Sequence, residues 1–173
     1  MRKTLPCLLL FITLCGFSPQ VASEAQEYNL KAAFLYRFTN YIEWYSLAPE
    51  KEFTIGVLGD SPIYDALREI AKTKTVNNKK INVRHFNDLE EIKGCQILFI
   101  SKNASNSWDE IVVKAKAENM LTISEEEGCA AKGMAINFVL ANETLKFEIN
   151  KTTIDILGLK ISSQLLKLAV YVY

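Results

Sequence analysis

Apolar positions early in the chain recur at helical spacing. Leu30, Phe34, Phe38, Tyr41 and Tyr45 follow one another at steps of four, four, three and four, and Ala33 and Ile42 widen the stripe. That period predicts an amphipathic helix within "LKAAFLYRFTNYIEWY", with this face packed on a sheet. Leu35, Tyr36 and Trp44 fall off the stripe. Tyr and Trp join a large apolar area to a hydrogen-bonding tip, so Tyr36 and Trp44 are candidate contacts for a dimer or a partner.

Further on, the pattern switches between strand and helix. "FTIGVLG" (53–59), "KINVRHF" (80–86), "CQILFIS" (95–101) and "MLTIS" (120–124) read as strands. "CQILFIS" is apolar almost throughout, as a strand covered on both faces should be. "SPIYDALREIAKT" reads as a helix capped by Ser61 with Pro62 at its first position. "NSWDEIVVKAKAEN" places Trp108, Ile111, Val112 and Ala115 on one helical face. Strand and helix in alternation predict a largely parallel sheet.

"MAINFVL" and "LKFEIN" then form two β-rich runs separated by "ANET", spaced for an antiparallel hairpin. Asn150 can cap a helix through "KTTIDIL" that Gly158 ends, and Ser162 or Ser163 can cap a last helix through "QLLKLAVYV". The predicted fold is a single-domain α/β sandwich. Its sheet is mixed and mostly parallel, flanked by helices, with an antiparallel hairpin near the C-terminus.

The first residues belong to a different pattern. Met1, Arg2 and Lys3 open an apolar run from Leu5 to Phe17, and "VASEA" supplies small residues, so residues 1–23 read as a secretory signal peptide. The run is short of the roughly 20 residues a spanning helix needs. Cleavage after Ser23 would leave residues 24–173 as one α/β domain of 150 residues with a net charge near −2, from 18 basic and 20 acidic side chains. That balance gives no basic surplus for nucleic acid. No later apolar run spans a membrane, so direct insertion is not expected.

Processing also removes Cys7 and Cys15. Cys95 begins one strand and Cys129 follows the end of its parallel neighbour, too far apart for a disulfide. Both are expected to remain thiols, Cys95 buried and Cys129 accessible in the loop beside "EEEG".

Candidate chemistry is sparse. His85 is the only histidine, and no nucleophile motif accompanies it. One histidine and two distant cysteines do not make a zinc site, so neither a metal nor a cofactor is expected. Glu125 to Glu127 read as a solvated loop. The turn Gly59, Asp60, Ser61 after the first strand is where α/β sheets hold small ligands, although the glycines do not complete a dinucleotide fingerprint. Turn formation with a helix cap explains the same residues. In the hairpin, Lys146 and Glu148 alternate with inward Leu145, Phe147 and Ile149. With Ile154 and Leu157 on the next helix they form a second candidate partner patch, unless those two apolar residues pack in the core.

"KAAFLYRFTNYIEW", "FTIGVLGDSP", "GCQILFIS", "LTISEEEGCAAKGMAINFV" and "LKFEINKTTIDILGLKISSQLLKLA" stand in the same order as in the YfiR family of periplasmic regulators, which this chain resembles over nearly all of residues 24–173. The chain has Lys132, Gly133 and Met134 where the family usually has Gly-Gly-Met, and it lacks the family's additional cysteines. The resemblance implies a non-enzymatic, periplasmic protein that binds the periplasmic domain of an inner-membrane diguanylate cyclase and represses it, lowering cyclic-di-GMP and biofilm output. A homodimer is expected. The alternative is a periplasmic small-ligand-binding subunit serving a sensor histidine kinase or cyclase.

Overall fold

The computed structural model describes residues 19–44, 52–104 and 108–173. Helix α1 (Pro19–Phe38) leads into the short strand β1 (Ile42–Trp44). The alternating segment follows as β2 (Glu52–Leu58), α2 (Ile63–Ala71), β3 (Thr75–Val76), β4 (Lys79–Phe86), a 3-10 turn (Leu89–Glu91), β5 (Ile97–Ile100), α3 (Trp108–Ala117) and β6 (Leu121–Ser124). The last third holds β7 (Ile136–Ala141), β8 (Thr144–Ile149), α4 (Lys151–Ile156), β9 (Leu159–Ile161), α5 (Ser163–Leu168) and β10 (Tyr171–Val172).

Eight strands form one sheet in the order β10-β8-β7-β6-β5-β2-β4-β3. The five strands β4-β2-β5-β6-β7 are parallel to one another. Counted along the chain they run 2-1-3-4-5, the order of flavodoxin-like doubly wound sheets. The expected mixed, mostly parallel sheet is therefore present, with its centre at β2, β5 and β6, whose residues from Phe53 to Leu58, Ile97 to Ile100 and Leu121 to Ser124 are all buried. Strands buried on both faces must be apolar on both, which is why alternation is absent there.

The hairpin β7–β8 pairs antiparallel from Ile136↔Ile149 to Ala141↔Thr144. Its two turn residues, Asn142 and Glu143, both take positive φ, 51° and 58°. A two-residue turn of this hand matches the twist of the strands it joins. The same device closes β3–β4 through Asn77 and Asn78, at φ 49° and 62°.

One face of the sheet is covered by α1, α2, α4 and α5 around Phe38, Phe53, Ile55, Phe99, Phe138 and Phe147. Phe38 lies 5.0 Å from Phe147 and 6.0 Å from Phe138, ring centre to ring centre. Burying a side chain of this size contributes about 1.5–3 kcal/mol. The other face is covered by α3 and the 3-10 turn around Leu58, Phe86, Leu98, Ile111 and Met134. A separate two-stranded ribbon, β1 with β9, ties Ile42 to Ile161 across the first face.

Several expectations need correction. The buried face of α1 is Lys31, Ala32, Leu35 and Phe38, whereas Leu30 is 48% exposed and Ala33 is exposed. The reason is that the helix ends at Phe38, so Tyr41 and Ile42 belong to a turn and a strand whose spacing mimicked helical period. Tyr45 lies outside the described residues. The final helix stops at Leu168, and Val170 N–H and Tyr173 N–H donate to Phe147 and Ile149 carbonyls, so "YV" is a strand rather than the end of "QLLKLAVYV". Cys129 is fully buried instead of accessible, because the chain after β6 folds back under the second face. Burial, reinforced by the charge of Glu126, pushes its thiol pKa up. Cys95 is buried as expected.

Two of the caps read from sequence are formed. Asn150 Oδ1 accepts from Thr153 N–H at 2.8 Å and Ser162 Oγ accepts from Leu165 N–H at 3.2 Å. The third is not: α2 starts at Ile63, so Pro62 takes the cap position instead of the first helical one, and Ser61, one residue outside it, accepts from Ile63 N–H through Oγ at 3.3 Å.

Candidate functional site

In a doubly wound sheet, ligands and partners meet the carboxyl ends of the parallel strands. Here those ends are formed by the loops after β2, β5 and β6 and by the tip of the β7–β8 hairpin. The N-terminal half of α1 reaches the same edge.

Two turns of α1 place Glu27, Tyr28 and Lys31 opposite Glu125, the residue directly after β6. Lys31 Nζ contacts Glu125 Oε2 at 2.5 Å and Glu27 Oε1 at 2.5 Å, and Tyr28 Oη donates to Glu125 Oε1 at 3.1 Å. The Lys31 ammonium also sits 4.5 Å from the centre of the Tyr28 ring. The Lys31 and Glu125 side chains are only 3% and 2% exposed. Both Glu125 oxygens are thus occupied, which is what a carboxylate removed from water requires. Burial alone would lower the lysine pKa, but its hydrogen bonds to Glu125 and Glu27 and their charges outweigh it and hold the ammonium above its ordinary range. Burial, followed by the charge of Glu125, raises the Tyr28 phenol.

The reading of Glu125 to Glu127 as a solvated loop therefore fails for its first member. Glu127 is exposed and Glu126 half-buried, but Glu125 points inward because Lys31 waits there. The signal in the sequence was Lys31 itself, a charge between the buried positions of a helix that otherwise packs on the sheet.

Beside this latch the edge opens into a cleft of about 660 Å³ between Glu125–Gly128 and the hairpin tip.

The turn Gly59–Asp60–Ser61 lies at the switch point between β2 and β5. Gly59 takes φ +78°, and a Cβ there would stand 2.5 Å from Ser101 Oγ and 3.2 Å from the Ala104 backbone. Glycine lets the two loops close on each other, and the buried Ser101 hydroxyl finds no hydrogen-bond partner among the described residues. Asp60 is exposed, with Oδ1 3.3 Å from His85 Nε2. With Ser61, Tyr64 and Asn103 these two line an open, shallow depression.

The remaining sequence candidates do not converge. Tyr36 is half-buried and its hydroxyl donates to Thr75 O at 3.3 Å. Trp44 packs edge-on against Phe53 at 5.1 Å and donates Nε1–H to Gln96 O at 3.3 Å. Both aromatics spend much of their area inside the molecule. Ile154 and Leu157 are buried at 0% and 4% exposure, so the patch expected with Lys146 and Glu148 does not form: α4 turns its apolar side into the core. Lys146 is exposed, and half-buried Glu148 accepts from Tyr173 Oη at 3.5 Å. Among the described residues no group of His, Cys, Asp and Glu could hold a metal ion, and no helix is long and apolar enough to cross a membrane.

Two solved structures are similar in fold. A conserved domain protein from Vibrio cholerae O1 biovar El Tor superposes with a TM-score of 0.56 at 10% identity, over 84% of this chain and 60% of that one. The ABC domain from Streptococcus pneumoniae, solved in complex with L-Trp, superposes with a TM-score of 0.52 at 13% identity, over 70% of this chain and 55% of that one. The chain thus spans well under two thirds of either. None of the curated proteins compared matches this sequence. The YfiR/HmsC-like family matches residues 28–170, which include Tyr28, Lys31 and Glu125 of the latch and the switch-point turn. It is a family of regulatory, non-catalytic periplasmic proteins acting on diguanylate cyclases. The chain belongs to the YfiR/HmsC-like family.

Proposed function

We propose that this protein is exported to the periplasm through residues 1–23 and that residues 24–173 bind the periplasmic domain of an inner-membrane diguanylate cyclase and hold it inactive. The observation that carries the reading is the family match over residues 28–170. Cyclic-di-GMP, and with it biofilm output, would fall when the complex forms. The mechanism is a coupling across the membrane: binding that favours the inactive cyclase conformation shifts the population only by its differential affinity for that state. Cleavage after Ser23 would leave α1 from Glu24 onward, with Glu27, Tyr28 and Lys31 intact. A homodimer is part of the proposal. Tyr36 and Trp44 are largely engaged inside the protomer, so a dimer would rest on other exposed surface, such as Leu30 of α1 at 48% exposure.

The test is capture of the cyclase from membranes by the exported protein, together with cellular cyclic-di-GMP in a strain lacking it. Capture with a rise in cyclic-di-GMP on deletion supports repression. No capture and unchanged cyclic-di-GMP would remove it.

A further inference from the structure

The cleft beside the latch has a composition unlike the chain as a whole. The full sequence carries 20 basic and 20 acidic side chains. The cleft is lined by five glutamates and two lysines, Lys31 and Lys102. Lys31 is locked between Glu125 and Glu27, so among the described lining residues Glu126, Glu127 and Glu148 are left with Lys102 to offset them. Against this rim stands an apolar wall from the hairpin tip and the approach to β10: Phe138, Leu140, Leu145 and Val170. Leu140 is 67% exposed and Val170 48%, a large apolar area left at the mouth of a negatively charged recess.

An apolar wall beside carboxylates matches one kind of side chain closely. Lys and Arg bury an aliphatic stem on apolar surface while the charged head reaches a carboxylate. The same rim repels acidic peptides, nucleic acid and anionic lipid headgroups.

We infer that this cleft docks a basic segment of a partner protein, with Lys or Arg heads on Glu126 and Glu127 and neighbouring apolar side chains on Leu140 and Val170. The inference rests on the repressor reading above, and the segment is placed in the periplasmic domain of the cyclase. The buried Lys31–Glu125 pair is the rigid side of the cleft, holding α1 and the β6 loop at a fixed separation. Rim charges chiefly set association rate and salt dependence, and the apolar contacts set residence.

The test uses the exported protein and membranes carrying the cyclase, with capture measured at 50 and 500 mM NaCl. Glu126→Lys/Glu127→Lys should weaken capture about tenfold and remove most of its salt dependence. Leu140→Ser should weaken it by roughly tenfold at both salts. Replacing a Lys or Arg of the docking segment by Glu should restore capture by the charge-reversed variant. Thermal melts confirm that each variant is folded, and Val170→Ser replaces Leu140→Ser if that one is not. Undiminished capture by the charge-reversed and apolar variants overturns the cleft and leaves the repressor reading standing. Variants that instead lose only self-association, or only binding of a free small amine such as cadaverine, also overturn it. Absence of capture by the unaltered protein removes both proposals together.

Discussion

Lys31 and Glu125, 94 positions apart in the chain, form a buried ion pair at 2.5 Å that fastens the first helix to the carboxyl edge of the sheet. Removing one member strands the other. Lys31→Ala leaves the Glu125 carboxylate buried with Tyr28 as its remaining partner and is expected to cost about 3–5 kcal/mol in denaturant unfolding. The double change Lys31→Met/Glu125→Leu removes both charges and should recover most of that loss. A single variant as stable as the original protein would show that the pair is solvated.

The same latch predicts the response to alkali. Lys31 and Tyr28 both have folded pKa values above their ordinary ones. A raised folded pKa means the native state holds its proton more tightly, so the associated stability is complete below the unfolded values, about 10 for the phenol and about 10.4 for the amine. It is lost as pH rises through the raised values. Melting temperature should therefore hold from neutral pH to about 9 and fall above about 10. Lys31→Met should flatten that fall, and a profile identical in the variant would place the alkaline transition elsewhere.

Cys129 should resist thiol reagents. The thiolate is the reactive species, and burial and Glu126 both disfavour it here. At pH 8 an aromatic disulfide reagent should leave Cys129 unmodified in the native protein and label it on unfolding, read by peptide mass mapping. Rapid native labelling of Cys129 would mean that the loop after β6 opens readily.

Glu143 sits at φ 58° in the β7–β8 turn, a conformation glycine adopts without the steric penalty of a Cβ. Glu143→Gly should stabilise by about 1 kcal/mol and raise the melting temperature by roughly 2–4 °C. Gly59→Ala is the opposite case. Its φ of +78° and the 2.5 Å approach to Ser101 Oγ predict a loss of stability. Pairing it with Ser101→Gly relieves the contact but not the dihedral strain, so only part of the loss should return.

Much of this fold can be read from the chain because its strands are short apolar runs and α4 and α5 carry capping residues at their starts. Asn150, Ser162 and the "ANET" turn behave as local chemistry dictates, since each satisfies its hydrogen bonds or its dihedral angles within a few residues. The hairpin at Asn77 and Asn78 obeys the same rule, with two residues tolerant of positive φ between Val76 and Lys79, but β3 is too short a run to be expected from the sequence. What could not be read locally is where distant segments meet. The buried face of α1 was misplaced because the turn at Thr39–Tyr41 continued the helical spacing of apolar residues without continuing the helix. Glu125 looked like one of three solvated acids, and only Lys31 on another element makes its burial tolerable. Ile154 and Leu157 looked equally suited to a patch or a core, and the packing of α4 on the first face decided for the core.

Apart from α2, which packs beside it, and Thr75, the first helix takes its partners from far along the chain. Phe38 rests on Phe138 and Phe147, Lys31 on Glu125, and the strand that follows the helix pairs with Leu159–Ile161. In a chain that emerges from its N-terminus, α1 can meet α2 early, but its aromatic contacts and its ion pair wait for Glu125, Phe138 and Phe147, and the strand after it waits for β9. The part of its apolar side that rests on the hairpin must remain uncovered through that interval, and forming these non-local contacts carries a loop-closure cost. The docking of this early helix on the hairpin is therefore among the last steps to lock, and the interval before it is when a holding chaperone would have most to protect.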